Sequence, residues 1–170
     1  MKIKKILIET TGGPEVLRLV EAELPDPAPD EVQIRQTAIG LNYQDIYTRS
    51  GLYPAPLPSG LGTEAAGVVE KVGSAVTEFR AGDRVCYISG PVLGAYASHR
   101  NYPAARLLRS PSHLTDEQLA ASMLKGMTVE YLLQRCYPVQ PGQHVLMHAA
   151  AGGVGLLAGQ WGRSVGATMI

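Results

Sequence analysis

The sequence is poor in cysteine: Cys86 and Cys136 are the only two among 170 residues. Within one chain this excludes a disulfide framework and a four-cysteine zinc lobe, and both thiols read as small buried apolar residues in a reducing compartment. Charge of one sign is also lacking, since fifteen Lys and Arg stand against fifteen Asp and Glu. The chain therefore offers no electrostatic footprint for DNA, RNA or an acidic membrane, and no nucleic-acid partner is expected. Long apolar runs are missing too. The one long uncharged stretch, residues 136–162, is broken by Pro138, Pro141, His144, His148 and several glycines, whereas a spanning helix needs about 20 predominantly apolar residues. The basic start at residues 1–5 leads into an apolar run too short for a signal peptide, and Glu9 follows it. No membrane partner is expected, and the cytoplasm is the default address.

Glycine and proline are plentiful, with 19 and 12 copies; they point to many tight turns rather than a helical bundle. Phe and Trp occur once each but Tyr eight times, and Tyr can bury a ring while keeping a polar tip wet. Up to about residue 110 the chain reads as short strands between Gly/Pro turns: 2–8, 16–24, 31–39, 64–72, 83–88, 95–100 and 106–108. In the third of these, Val32, Ile34 and Ala38 alternate with Gln33 and Arg35, which predicts one wet face. Residues 43–50 read as a short polar segment, and Tyr53-Pro54-Ala55-Pro56-Leu57-Pro58 as a loop. Many short strands with frequent turns suggest a small barrel or sandwich.

The pattern changes near Pro111. Thr115, followed by Asp116, Glu117 and Gln118, is a helix-start signature. Helical spacing then continues to Leu133 with an expected interruption at Lys125-Gly126, and Pro138 stops it. A short apolar strand at 143–148, a glycine turn at 149–155, a helix at 154–165 and a strand opening at 168–170 form the first unit of a doubly wound nucleotide-binding fold. One such unit cannot cover both faces of a parallel sheet. The 170 residues are therefore expected to belong to a longer polypeptide and, in isolation, to bind a dinucleotide poorly.

The glycine turn reads His148-Ala149-Ala150-Ala151-Gly152-Gly153-Val154-Gly155, with Ala150, Gly152 and Gly155 at the three positions of a dinucleotide fingerprint. Glycines there let the backbone turn sharply and approach a pyrophosphate, whose charge sits at the helix N-terminus. The residue that would distinguish NAD from NADP belongs about 20 positions farther on, at or past Ile170. His99, His113, His144 and His148 show no metal spacing, and no Ser/His/Asp triad can be assembled.

The segments NYQDIYTRSGLYP, LPSGLGTEAAGVVEKVGS, AGDRV and HAAAGGVGLLAGQW, in that order, closely resemble the medium-chain dehydrogenase/reductase superfamily, and within it the zinc-independent, zeta-crystallin-like quinone oxidoreductase branch. The resemblance covers the whole chain. It implies a GroES-like β barrel over residues 1–112, acting as the catalytic and substrate domain, followed over 113–170 by a linker helix and the first part of a Rossmann domain. Zinc alcohol dehydrogenases carry a cysteine where this sequence has Asn42 and a histidine where it has Thr63. An amide and a hydroxyl are poor zinc ligands, so a metal-free enzyme is expected.

By the same resemblance, NADPH delivers a hydride to a quinone or similarly activated carbonyl, an acceptor that needs little electrophilic help because reduction aromatises its ring. Asn42, Asp45 and Tyr47 are implied beside the nicotinamide, and Tyr53 at the substrate pocket, with Asn42, Tyr47 and Tyr53 as the catalytic set. Thr128 and Tyr131 follow from the match of Lys125-Gly126-Met127-Thr128 to the family's cofactor-contacting helix. Ala150, Gly152, Gly153, Val154 and Gly155 would hold the pyrophosphate. As isolated carboxylates, Asp45 and Glu64 are also readable as groups that orient backbone or neighbouring polar atoms. A homodimer is implied for the full-length protein. Two alternatives stand beside quinone reduction: reduction of enones or alkenals by the same hydride chemistry, and a non-enzymatic barrel that binds RNA or protein.

Overall fold

The computed structural model describes residues 1–90 and 92–170. Its elements run β1 (Lys2–Ile8), β2 (Arg18–Glu23), β3 (Glu31–Ile39), α1 (Tyr43–Ser50), β4 (Ser59–Gly60), β5 (Glu64–Val72), β6 (Arg84–Ile88), β7 (His99–Pro103), β8 (Leu108–Arg109), α2 (Asp116–Glu130), β9 (His144–Val145), α3 (Gly153–Ser164) and β10 (Thr168–Met169). The chain divides into two compact units, Met1–Ala121 and Ser122–Ile170.

The first unit is a barrel of antiparallel strands, as the resemblance to a GroES-like fold implies. Its five-stranded sheet has the order β7-β3-β5-β6-β8 and its three-stranded sheet the order β2-β1-β4. The lead-in to β7 laces them together: Ser98 N–H donates to Lys4 O at 2.8 Å, Ile6 N–H to Tyr96 O at 2.8 Å, and Gln36 N–H to Ser98 O at 3.0 Å. β3 lies between β5 and β7, so its edges are hydrogen-bonded on both sides, and Val32, Gln33 and Ile34 are buried. Val32, Ile34, Val69, Val85, Tyr87 and Tyr102 join the core on this sheet. Tyr87 and Tyr102 stack at 4.4 Å, and the Tyr87 hydroxyl donates to Gln36 Oε1 at 2.5 Å. That phenol is not wet; its polar tip is satisfied inside.

Several expectations need correction here. Gln33 is buried rather than solvated: the proline-rich loop covers it, and its Nε2 donates to Pro25 O at 3.3 Å and Asn101 Oδ1 at 3.2 Å. The segment 43–50 is a helix, although its sequence YQDIYTRS lacks an apolar stripe. The strand expected at 95–100 begins only at His99, because residues 96–98 are shared between the two sheets. β8 is the two-residue strand Leu108–Arg109. Of the two thiols expected to be buried, Cys86 is, whereas Cys136 is exposed.

The start of α2 forms as the sequence suggests. Thr115 N–H donates to Gln118 Oε1 at 2.9 Å and Gln118 N–H to Thr115 Oγ1 at 3.2 Å, a reciprocal capping box. Asp116 in its first turn is clamped by Arg84 at 2.5 Å and by Thr37 at 2.6 Å. The helix does not break at Lys125-Gly126; it runs on to Glu130 and widens into one π-helical segment, Tyr131–Cys136. A single glycine costs about 1 kcal/mol in a helix, which fourteen other helical residues outweigh.

In the second unit β9 and β10 pair in parallel, with α3 as the connection. The strand expected at 143–148 is only His144–Val145. Val129, Leu133, Val139 and Ala158 form the buried core, with Val145, Leu157, Trp161 and Met169 packed against it. This is the Rossmann-like βαβ arrangement. Among the described residues no helix is long and apolar enough to cross a membrane.

Candidate active site

In the first unit the sequence-derived residues gather around α1. Asn42 precedes the helix in extended conformation, and its backbone N–H donates to Asp45 Oδ2 at 2.9 Å. The Asn42 side-chain amide donates to Glu64 Oε1 at 2.7 Å. Glu64 is fully buried and Asp45 nearly so. Burial drives the Asp45 carboxyl above its ordinary value, and the adjacent Glu64 charge adds to this; the Asn42 N–H and the Tyr96 hydroxyl oppose it. Both carboxylates thus orient neighbouring groups, and Asp45 defines where α1 begins.

Three tyrosines stand at the first residue of α1, one turn along it and just beyond its end. Tyr43 and Tyr47 have ring centroids 6.0 Å apart, and Tyr47 meets Tyr53 edge-on at 5.3 Å. The chain returns toward the helix because Tyr53 N–H donates to Tyr47 O at 3.0 Å. Tyr47 is half-buried and Tyr53 about half exposed at 49%. Tyr53 also lines a groove of about 570 Å³ with Gln44, Thr48, Pro54, Pro58 and Leu93. A rigid phenol on a groove wall can donate a hydrogen bond to an oxygen that gains charge.

In the second unit the glycine turn opens α3. Ala149 adopts a left-handed φ of 55°, Gly152 N–H donates to Ala149 O at 2.8 Å, and Leu156 N–H donates to Gly152 O at 2.9 Å. A Cβ at Gly155 would overlap the backbone of Ala150, and one at Gly152 would come within 3.1 Å of Ala149 O. Helix and turn therefore approach closer than a side chain allows, which leaves first-turn amides facing outward without helical partners. Ala150 and Gly155 border a groove of about 420 Å³ with Leu156, Gly159 and Arg163.

Lys125 entered the sequence reading only as part of the Lys125–Thr128 segment, without a site role of its own. A Cβ on Gly153 would lie 2.9 Å from its Cδ, so the lysine stem crosses the turn. The signal was the second of two adjacent glycines, whose packing partner no spacing rule identifies. Thr128 bonds back into its own helix, Oγ1 donating to Leu124 O at 2.8 Å. Tyr131 is exposed, and the hydrogen-bonded Cys136 side chain pushes its phenol above the usual range. Among the described residues no group of three or more His, Cys, Asp or Glu is placed to hold a metal ion.

Residues 28–112 match the alcohol dehydrogenase GroES-like domain family. The chain belongs to that family. It is 55% identical over 160 residues to quinone oxidoreductase 1 of Escherichia coli, covering 94% of this chain and 49% of that protein. A 2-haloacrylate reductase of Burkholderia is 47% identical over 171 residues, covering 96% of this chain and 51% of the relative. The crystal structure of the Escherichia coli quinone oxidoreductase complexed with NADPH superposes with a TM-score of 0.94 at 53% identity, covering 98% of this chain and 51% of that one. These relatives place this GroES-like chain in the quinone oxidoreductase branch of the medium-chain dehydrogenase/reductase superfamily. The chain spans about half the length of the curated relatives it matches.

Proposed function

We propose that this chain is part of an NADPH-dependent quinone reductase that works without a metal. The observation that carries the reading is the glycine turn, where Gly155 leaves no room for a Cβ, Gly152 leaves only a tight fit, and α3 presents its first amides. That cradle fits a pyrophosphate. In this reading Ala150, Gly152, Gly153, Val154 and Gly155 hold the pyrophosphate, and Asn42, Asp45, Tyr47, Thr128 and Tyr131 serve the rest of the cofactor. Lys125, crossing the turn, adds positive charge there. Residues 1–112 act as the catalytic and substrate domain and 113–170 as the beginning of the dinucleotide-binding domain.

When bound, NADPH supplies a hydride. The chain's own residues orient and exclude water. Asn42, held by Glu64, and Tyr47, held by α1, present a fixed wall, and Tyr53 donates a hydrogen bond to the oxygen of the developing hydroquinone. Asn42 and Thr63 occupy the places where zinc relatives have thiolate and imidazole, so an acceptor that needs no Lewis acid suits this site. The protein acts in the cytoplasm as a homodimer.

Two substitutions in the complete protein test this reading. Gly152→Val should weaken NADPH about tenfold to a hundredfold, the equivalent of about 1–3 kcal/mol of overpacking. Tyr53→Phe should lower quinone turnover while NADPH affinity stays the same. Unaltered NADPH binding in the first, or unchanged quinone kinetics in the second, would remove that residue from the site. The 2-haloacrylate reductase relative favours one second reading, reduction of an activated alkene. Parallel steady-state assays with a quinone and an alkenal decide between them by kcat/KM.

A further inference from the structure

Tyr96 was not among the residues selected from sequence, yet it is tied to the site by two contacts. Its hydroxyl donates to Asp45 Oδ2 at 2.8 Å, the same oxygen that accepts the Asn42 N–H. Its ring fills the space where a Cβ on Gly62 would stand, 2.7 Å from Cε1, and Gly62 holds a left-handed φ of 87°. The backbone of Tyr96 is fixed as well: its N–H donates to Leu61 O and its carbonyl accepts from Ile6 N–H, each at 2.8 Å. The backbone of Tyr96 is thus anchored to the barrel, its ring packs against Gly62, and its hydroxyl reaches the first turn of α1.

We propose that Tyr96 is a positioning residue for the Asn42–Tyr47 site: its hydroxyl holds the Asp45 carboxylate, which fixes the Asn42 amide and the first turn of the helix carrying Tyr47. The inference rests on the reading of α1 as part of the active site. Asp45 is buried, its Oδ2 accepts from both the Asn42 N–H and the Tyr96 hydroxyl, and the Gly62 backbone also stabilises the carboxylate. Losing the Tyr96 hydroxyl removes one of the few donors that compensate its burial. The charged group facing Asp45 is Glu64 on β5, and burial and the bond to Asp45 together hold the Tyr96 phenol protonated, far above its ordinary range. Tyr96 therefore acts as donor throughout the working pH range.

The test follows the chemical shift of the Asn42 backbone amide with pH in the complete protein, alongside quinone kinetics. Tyr96→Phe keeps the ring under Gly62 and removes only the hydroxyl. A hydrogen bond to a charged group is worth about 1.5–3 kcal/mol, so its loss should raise the midpoint of the Asn42 titration by about one pH unit or more. In Asp45→Asn the component that Tyr96→Phe moves should disappear, leaving at most a titration of Glu64, which Asn42 also contacts. In an active protein Tyr96→Phe should also lower kcat/KM about fivefold to tenfold, with the larger part in kcat. An unmoved midpoint, a Tyr96-sensitive titration that persists in Asp45→Asn, or unchanged kcat/KM overturns the proposal. A merely structural tyrosine would lower thermal stability and leave the midpoint in place. If the unsubstituted protein reduces no quinone, the functional reading fails by itself, and the amide titration still decides whether Tyr96 holds Asp45.

Discussion

The two compact units of this chain bury their apolar residues in different ways. In Met1–Ala121, antiparallel strands are joined by short connections and laced into one barrel, so Val32, Ile34, Ala65 and Val85 lose all solvent contact. In Ser122–Ile170, two strands of two residues each pair in parallel, and Leu146, Leu156 and Ile170 remain 58–73% exposed. Antiparallel sheets can be complete with one wet face, whereas a parallel sheet is normally covered on both. The barrel is the part whose stability depends on packing. The βαβ unit is the part whose value depends on backbone geometry at one turn.

That contrast can be broken most directly in the cores. Ile34→Ala should destabilise the barrel by about 2–5 kcal/mol, whereas Leu146→Ala should stay within about 0.5 kcal/mol of zero, as surface substitutions usually do. Urea unfolding of both variants checks this, and similar losses would show that the second unit packs as tightly as the first.

A medium effect is expected at the joint between β6 and the first turn of α2. Burial would raise the Asp116 carboxyl, but hydrogen bonds from Thr37 and Arg84 and the nearby Arg84 and Arg35 charges outweigh it and hold it below 3.8. A lowered carboxyl contributes stability above its unfolded value and loses it as pH falls through the folded value. Asp116→Asn should therefore cost about 1–3 kcal/mol near neutrality, and the difference from the unsubstituted protein should vanish in strong acid. A cost independent of pH would assign Asp116 a packing role instead.

The smallest expected effect is a gain. Gly126 sits inside α2 with nothing within 4 Å of an added Cβ. Gly126→Ala should raise stability by about 0.8–1 kcal/mol, read as a shift in the urea midpoint. A loss would mean that the open space at Gly126 is used by a ligand, and repeating the measurement with NADPH would separate the two.

Much of the barrel was legible because strand alternation and Gly/Pro punctuation are local signals: strands 2–8, 31–39 and 64–72 lie where the pattern puts them. The capping box at Thr115 and Gln118 was legible for the same reason. Helix α1 was not. Its eight residues carry no apolar periodicity, and what holds it is a buried carboxylate bonded to Asn42 and to a tyrosine 51 positions away. Gln33 misled because alternation predicts a wet face and cannot see a proline loop folding over it.

By itself, then, the sequence determined most element types, though not helix α1, together with the turn that a dinucleotide needs and the loss of zinc-binding residue types at Asn42 and Thr63. These depend on neighbouring residues or on the side chains themselves. Only the tertiary structure decided that Glu64 and Asp45 converge on Asn42, that Lys125 crosses the glycine turn, and that Tyr96 holds the start of α1. Those contacts join residues far apart in the chain, and their partners are chosen by how strands register and pack, which no local pattern encodes.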